Sequence, residues 1–161
     1  MEKFTLGQKR PLIIAGPCSA ETREQTMETA LKLARSGKVD VIRAGIWKPR
    51  TKPGTFEGIG EVGLEWLSEV KRQTGIPIAV EVANHTHVQT ALKYGVDILW
   101  IGARTTVSPF AVQEIAEALH DNKDVTVLVK NPMTPDINLW EGAVKRLIAE
   151  GVPEKNIGLI H

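Results

Sequence analysis

Six short apolar runs recur along the chain: LIIAG at Leu12 to Gly16, VIRAG at Val41 to Gly45, IAVEVA at Ile78 to Ala83, ILWIGA at Ile98 to Ala103, VTVLVK at Val125 to Lys130 and IGLI at Ile157 to Ile160. They are too short for helices and lack a strict apolar/polar alternation. Each therefore reads as a strand buried on both faces, the pattern of a parallel sheet. The segments between them keep a helical period. TREQTMETALKLARSG sets Met27, Ala30, Leu31 and Ala34 on one stripe and stops at Gly37, while EVGLEWLSEVKRQTG spaces Leu64, Leu67 and Val70 and stops at Gly75. THVQTALKYG reads as a pair of amphipathic turns ending at Gly95, and INLWEGAVKRLIAEG ends at Gly151. SPFAVQEIAEALHDN opens with Ser108 as cap and Pro109 in the first turn, and its spacing turns Phe110, Ile115 and Leu119 inward. Strand and helix alternate without a break in composition, which predicts one α/β domain over residues 1–161 with six parallel strands and five helices.

Two architectures share that alternation. A dinucleotide-binding sheet puts a glycine-rich GxGxxG turn after its first strand, but GPCSAE at Gly16 to Glu21 lacks the later glycines. A (β/α)8 barrel instead places its working groups on the loops after many strands. The polar residues follow that second rule: Cys18 and Ser19 after the first run, Arg43 and Lys48 to Thr51 after the second, Glu81 and Asn84 after the third, Arg104 and Thr105 after the fourth, Lys130 and Asn131 after the fifth, His161 after the sixth. The expected fold is thus a TIM (β/α)8-barrel type, incomplete, because eight strands typically need about 250 residues.

Net charge decides how these cations are read. With 20 Lys and Arg against 19 Asp and Glu the chain is nearly neutral, so a general affinity for nucleic acid or membranes is not expected. Arg43, Lys48, Arg50, Arg104 and Lys130 nevertheless fall at strand ends on one rim, with few carboxylates in the same loops. Anions from outside, phosphate or carboxylate, are their natural partners; a solvated charged rim is the bland alternative. Arg43 interrupts an apolar strand and would point into a barrel lumen. Glu81 intrudes likewise, and either pairs with an arginine or holds a catalytic water. Pro49 and Pro53 stiffen the loop that follows, with Gly54 and Gly58 allowing its turns. His85, His87 and His120 read as surface or capping residues, and Trp47, Trp66, Trp100 and Trp140 as core or helix-packing groups. The single cysteine, Cys18, excludes an internal disulfide and leaves open a buried thiol or a metal ligand. No long apolar run is present and MEKFTLGQKRP has no leader-like segment, so a cytoplasmic location is expected.

Taken together, GPCS (Gly16 to Ser19), RAGIWKPRT (Arg43 to Thr51), EVAN (Glu81 to Asn84), IGART (Ile101 to Thr105) and VKNP (Val129 to Pro132) resemble 3-deoxy-D-arabino-heptulosonate 7-phosphate (DAHP) synthase, from about Leu12 to His161. The related 3-deoxy-manno-octulosonate 8-phosphate synthase shares the chemistry, but KPRT is the heptulosonate pattern. A degenerate half-barrel that binds phosphoenolpyruvate or another anion without turnover is the rival of another class.

The resemblance implies an aldol-type transferase that opens the shikimate pathway of aromatic amino acid biosynthesis. Phosphoenolpyruvate condenses with erythrose 4-phosphate: its enol carbon attacks the aldehyde, water adds to the neighbouring carbon, and phosphate leaves by C–O cleavage. Arg43, Lys48, Arg104 and Lys130 would hold phosphoenolpyruvate, with Gly102 and Ala103 letting backbone approach its phosphate. Lys48, Pro49, Arg50 and Thr51 would line the erythrose 4-phosphate side. Lys48, Glu81 and Lys130 would be catalytic, Glu81 positioning water and protons with Lys130 nearby. Cys18 would be one ligand of a divalent metal, Mn2+, Fe2+, Co2+ or Zn2+, whose histidine, glutamate and aspartate partners in the family find no counterpart in this sequence. The expectation is a truncated chain, inactive alone, that self-associates to cover its strand edges. A longer form could carry a chorismate mutase domain.

Overall fold

The computed structural model describes residues 11–161. The reading of the opening segment as free of a leader falls outside them. Thirteen elements follow in order: β1 (Ile14–Ala15), α1 (Arg23–Arg35), β2 (Val41–Ala44), α2 (Val62–Thr74), β3 (Ile78–Val82), α3 (His85–Lys93), β4 (Ile98–Ile101), α4 (Ala103–Thr106), α5 (Pro109–Ala118), β5 (Thr126–Lys130), α6 (Ile137–Ala149), a 3-10 turn (Glu154–Asn156) and β6 (Ile157–Ile160). Every neighbouring pair of strands is parallel, in the order β1-β2-β3-β4-β5-β6. The sheet curls. Ile14 of β1 and Ile160 of β6, from opposite edges, pack on the same inner cluster of Val41, Ala79, Ile98 and Leu128. This is an incomplete barrel of the TIM type.

Period two divides each strand between its faces. The residues turned outward, among them Ile78, Val80, Val82, Leu99, Ile101, Val127 and Val129, join Leu64, Leu67, Val88, Ile115 and Leu147 of the helices in one buried cluster. Ile42 meets Met27, Ala30 and Val70 in a second. The inner face begins apolar and turns polar towards the strands' C-terminal ends, where Arg43, Glu81, Trp100 and Lys130 alternate with these outward residues.

Caps set the helix boundaries. Thr22, Asn84, Ser108 and Asp136 accept backbone N–H bonds from Gln25, His87, Ala111 and Asn138 respectively. Gly75 ends α2 in the left-handed conformation at φ 71°, as a stop glycine should. At the strands' N-terminal ends, Asp40 accepts from Ile13 N–H at 2.9 Å. Asp97 accepts from Ile78 N–H at 3.0 Å and pairs with Lys71 at 2.8 Å.

Three expectations change. The sequence predicts five helices, whereas the structure has six: a single turn, α4, forms directly after β4 because Thr105 and Thr106 N–H both bond Gly102 O at 2.9 Å. The pair of turns around Ala91 is a nine-residue helix, α3. Phe110 does not face in; it is 86% exposed, since it sits in the first turn of α5, beyond the covered part of the sheet, and Val112 and Ile115 supply the inward stripe instead.

Candidate functional site

Two clefts open beside each other at the C-terminal ends of the strands. One, of about 340 Å³, lies over the inner face and is lined by Cys18, Arg43, Glu81, Arg104, Lys130 and His161, with Gly102 and Ala103 at its wall. The other, of about 410 Å³, is formed by the loop after β2: Lys48, Pro49, Arg50, Thr51, Lys52 and Phe56. Lys48, Glu81 and Arg104 line both. The residues expected to bind substrate, catalyse or hold a metal therefore all line these two clefts. Lys52 is exposed and lines the loop cleft as well.

Arg43 reaches the rim because residue three of β2 points inward. Its guanidinium donates to Pro17 O at 3.1 Å and lies over the Trp100 ring, 5.7 Å from the centroid. Trp100, opposite Glu81 in register, packs against the inner cluster and also forms a platform under a cation. Lys48 donates to Cys18 O at 2.8 Å, and its ammonium lies 3.7 Å from Cys18 Sγ. Lys48, then burial acting in opposition, then Arg43, leave the Cys18 thiol below its ordinary value of 9.0. Glu81 forms no ion pair among the described residues, so the structural pairing left open by the sequence is not made. Its Oε1 instead rests against Gly102, where an added Cβ would come within 2.0 Å. Small residues at this strand end are required by that approach. Thr106 Oγ1 donates within reach of Gly102 O (3.1 Å) and Lys130 O (2.9 Å), holding the ends of β4 and β5 together.

The loop after β2 is built to keep its shape. Lys48 N–H bonds Glu57 O at 2.8 Å, Gly60 N–H bonds Ile46 O at 2.9 Å, and Arg50 Nε donates to Phe56 O at 3.0 Å. Gly58 has φ 103°, and any Cβ there would sit 2.0 Å from Ile46 O, so only glycine fits this close return. Beneath the loop, Trp47 stacks flat on His87, with ring centroids 4.0 Å apart and 5° between planes. His87, expected at the surface or as a cap, is half-buried. Its Nδ1 does accept from Ala83 N–H at 3.3 Å, and burial holds the imidazole below its ordinary 6.5.

For a divalent metal the donor set does not fit. Among the described residues no group of three His, Cys, Asp or Glu side chains comes together, and Cys18 faces an ammonium. One thiolate falls short of the three or four protein ligands such ions take. Among the described residues, too, no helix is long and apolar enough to cross a membrane.

A curled parallel α/β sheet whose C-terminal rim gathers cations and, among the described residues, a carboxylate without an ion pair defines an incomplete barrel domain of the TIM type. Comparison with known proteins narrows the class to a family. The sequence model of the DAHP synthetase I family matches residues 2–161, and the chain belongs to that family, one of aldolase-type transferases that are generally metal-dependent. It is 47% identical over 92 residues to the phospho-2-dehydro-3-deoxyheptonate aldolase of Thermotoga maritima, covering 57% of this chain and 27% of the relative. It is 38% identical over 90 residues to the 2-dehydro-3-deoxyphosphooctonate aldolase of Stenotrophomonas maltophilia, covering 52% of this chain and 33% of that one. The crystal structure of the Thermotoga maritima DAHP synthase superposes with a TM-score of 0.76 at 32% identity, over 92% of this chain and 40% of the other. A truncated form of that enzyme gives 0.72 at 32% identity, over 92% and 50%. The chain thus spans half or less of the length of these relatives.

Proposed function

We propose that the rim binds phosphoenolpyruvate and erythrose 4-phosphate side by side, for the condensation that gives DAHP and phosphate. One observation supports this reading above the rest: two adjoining clefts meet at a shared cation pair and a shared carboxylate, Lys48, Arg104 and Glu81. Two phosphorylated substrates that must react with each other need that layout, because a bond can form only between atoms held about 3–3.5 Å apart.

In the inner cleft, Arg43, Arg104 and Lys130 hold the carboxylate and phosphate of phosphoenolpyruvate, and Gly102 and Ala103 let the phosphate approach the backbone. In the loop cleft, Arg50, Thr51 and Lys52 hold the phosphate of erythrose 4-phosphate, with Pro49 keeping the wall in place. Lys48 stands between them. Its ammonium, parked on Cys18 O, still has two protons to offer an oxygen of either substrate. Glu81 faces the junction and is suited to orient the water that adds next to the enol carbon as the new C–C bond forms and the phosphate departs. No step is assigned to a metal, since the donors present do not complete a site.

Titration calorimetry tests the reading. The chain is expected to bind phosphoenolpyruvate, and to take erythrose 4-phosphate in preference to arabinose 5-phosphate. A preference for the pentose phosphate would move the chain to the octulosonate branch, to which the 38%-identical relative belongs by name. For the 161-residue chain alone, binding without turnover is expected; phosphate release from phosphoenolpyruvate that depends on erythrose 4-phosphate, with Mn2+ added, would overturn that part.

A further inference from the structure

Behind the loop cleft lies another hollow of about 400 Å³, with Trp47, Lys48, Pro49, Arg50, Glu81 and His87 in its wall. Its floor is the Trp47–His87 stack. The loop is also fixed internally, Glu57 to Lys48, Gly60 to Ile46 and Phe56 to Arg50, and the Lys48 ammonium ties it to Cys18 O in the turn after β1. Buried Ile46 anchors the loop's start in the cluster that holds Val80 and Val82, but none of those bonds reaches the residues that follow β3. The stack does. His87 belongs to α3, and it is held twice there: its N–H donates to Asn84 Oδ1 at 2.9 Å, and its Nδ1 accepts from Ala83 N–H. Ala83 directly follows β3, the strand that carries Glu81. Trp47 directly precedes Lys48. One flat ring contact therefore spans the gap between the carboxylate's strand and the phosphate loop.

We propose that His87 is a positioning residue: through Trp47 it sets the distance of the Lys48–Thr51 loop from Glu81, and so tunes affinity for a phosphate in the loop cleft without touching it. The inference rests on reading that loop as phosphate-binding. An aromatic stack is flat and slides at little cost along its plane, but it resists separation. It suits a contact that must fix height above the sheet while internal hydrogen bonds fix shape.

The test uses the 161-residue chain with His87→Ala, His87→Phe and Trp47→Ala, titrated with erythrose 4-phosphate and with phosphoenolpyruvate. His87→Ala is expected to weaken erythrose 4-phosphate by roughly threefold to tenfold, the size of one aromatic pair, and phosphoenolpyruvate by less than about twofold. His87→Phe, which keeps a ring over Trp47, should recover most of the loss. Trp47→Ala should weaken binding as His87→Ala does, and the double variant no further. Equal weakening of both ligands, or no rescue by phenylalanine, would overturn the proposal. Amide exchange at Lys48 and Gly60 keeps the two readings apart. If the wild-type chain binds neither phosphate, the substrate reading fails, and unchanged exchange in His87→Ala would then overturn the positioning role as well. Faster loop exchange, restored by His87→Phe, would uphold it.

Discussion

The two ends of the same sheet are made on opposite plans. At the N-terminal end, carboxylates meet partners within the fold: Asp40 takes Ile13 N–H, and Asp97 takes both Ile78 N–H and the Lys71 ammonium. At the C-terminal end, Arg104 and Lys130 form no ion pair with a carboxylate among the described residues, and Glu81 has none either. Charges at the first end are used up in joining strands. Those at the second are held apart from one another and left available. Crowding unneutralised cations costs stability, so their gathering on one rim points to a ligand that supplies the missing charge.

Breaking each end should therefore have separate consequences. The largest effect is expected from Arg104→Ala, which should cost about 10- to 100-fold in phosphoenolpyruvate affinity, the worth of charged hydrogen bonds, with little change in melting temperature. A variant that binds normally would remove Arg104 from the site. Asp97→Ala is the mirror case. It strands Ile78 N–H and removes the ion pair of Lys71, and should lower stability by about 1–3 kcal/mol in denaturant unfolding while the remaining folded protein binds as before. A loss of affinity per folded molecule would show that the two ends are coupled.

Smaller effects sharpen the picture at the C-terminal end. His87 titrates below 6.5 when folded because burial disfavours its charged form, so between its folded and unfolded values the unfolded chain binds more protons. Its contribution is present above about pH 6.5 and is lost as pH falls towards the folded value. His87→Phe should flatten the acid side of the stability profile relative to wild type, in which the other three histidines are unchanged. An identical slope in both would place the imidazole in solvent. The smallest change is expected at Cys18. Lysine 48 is the leading cause of its lowered titration, so Lys48→Ala should slow alkylation by iodoacetamide at pH 7.5, and an unaltered rate would separate the two groups.

Much of this was legible before any coordinates. Strands buried on both faces declare themselves as continuous aliphatic runs, and the bounds of all six strands fall within two residues of the runs read. Arg43 and Glu81 stood out because a charge inside such a run has nowhere to go but the inner face. What the sequence left out shares a cause. Phe110 fits a helical stripe, yet periodicity gives direction around a helix and not how far along it the cover extends. His87 and Trp47 are remote in sequence, and their meeting depends on where α3 starts relative to a loop. Trp100 lies under Arg43 because of strand register, and Asp40 and Asp97 find backbone N–H groups for the same reason. Register is set by the whole sheet and has no local signature.

The central claim is that two phosphorylated ligands occupy adjoining clefts of one rim. Sequential titration tests it most directly: the chain is saturated with phosphoenolpyruvate and then titrated with erythrose 4-phosphate, and the reverse. The account predicts one equivalent of each, bound together in either order. Displacement of one by the other would mean a single anion site, and would contradict it.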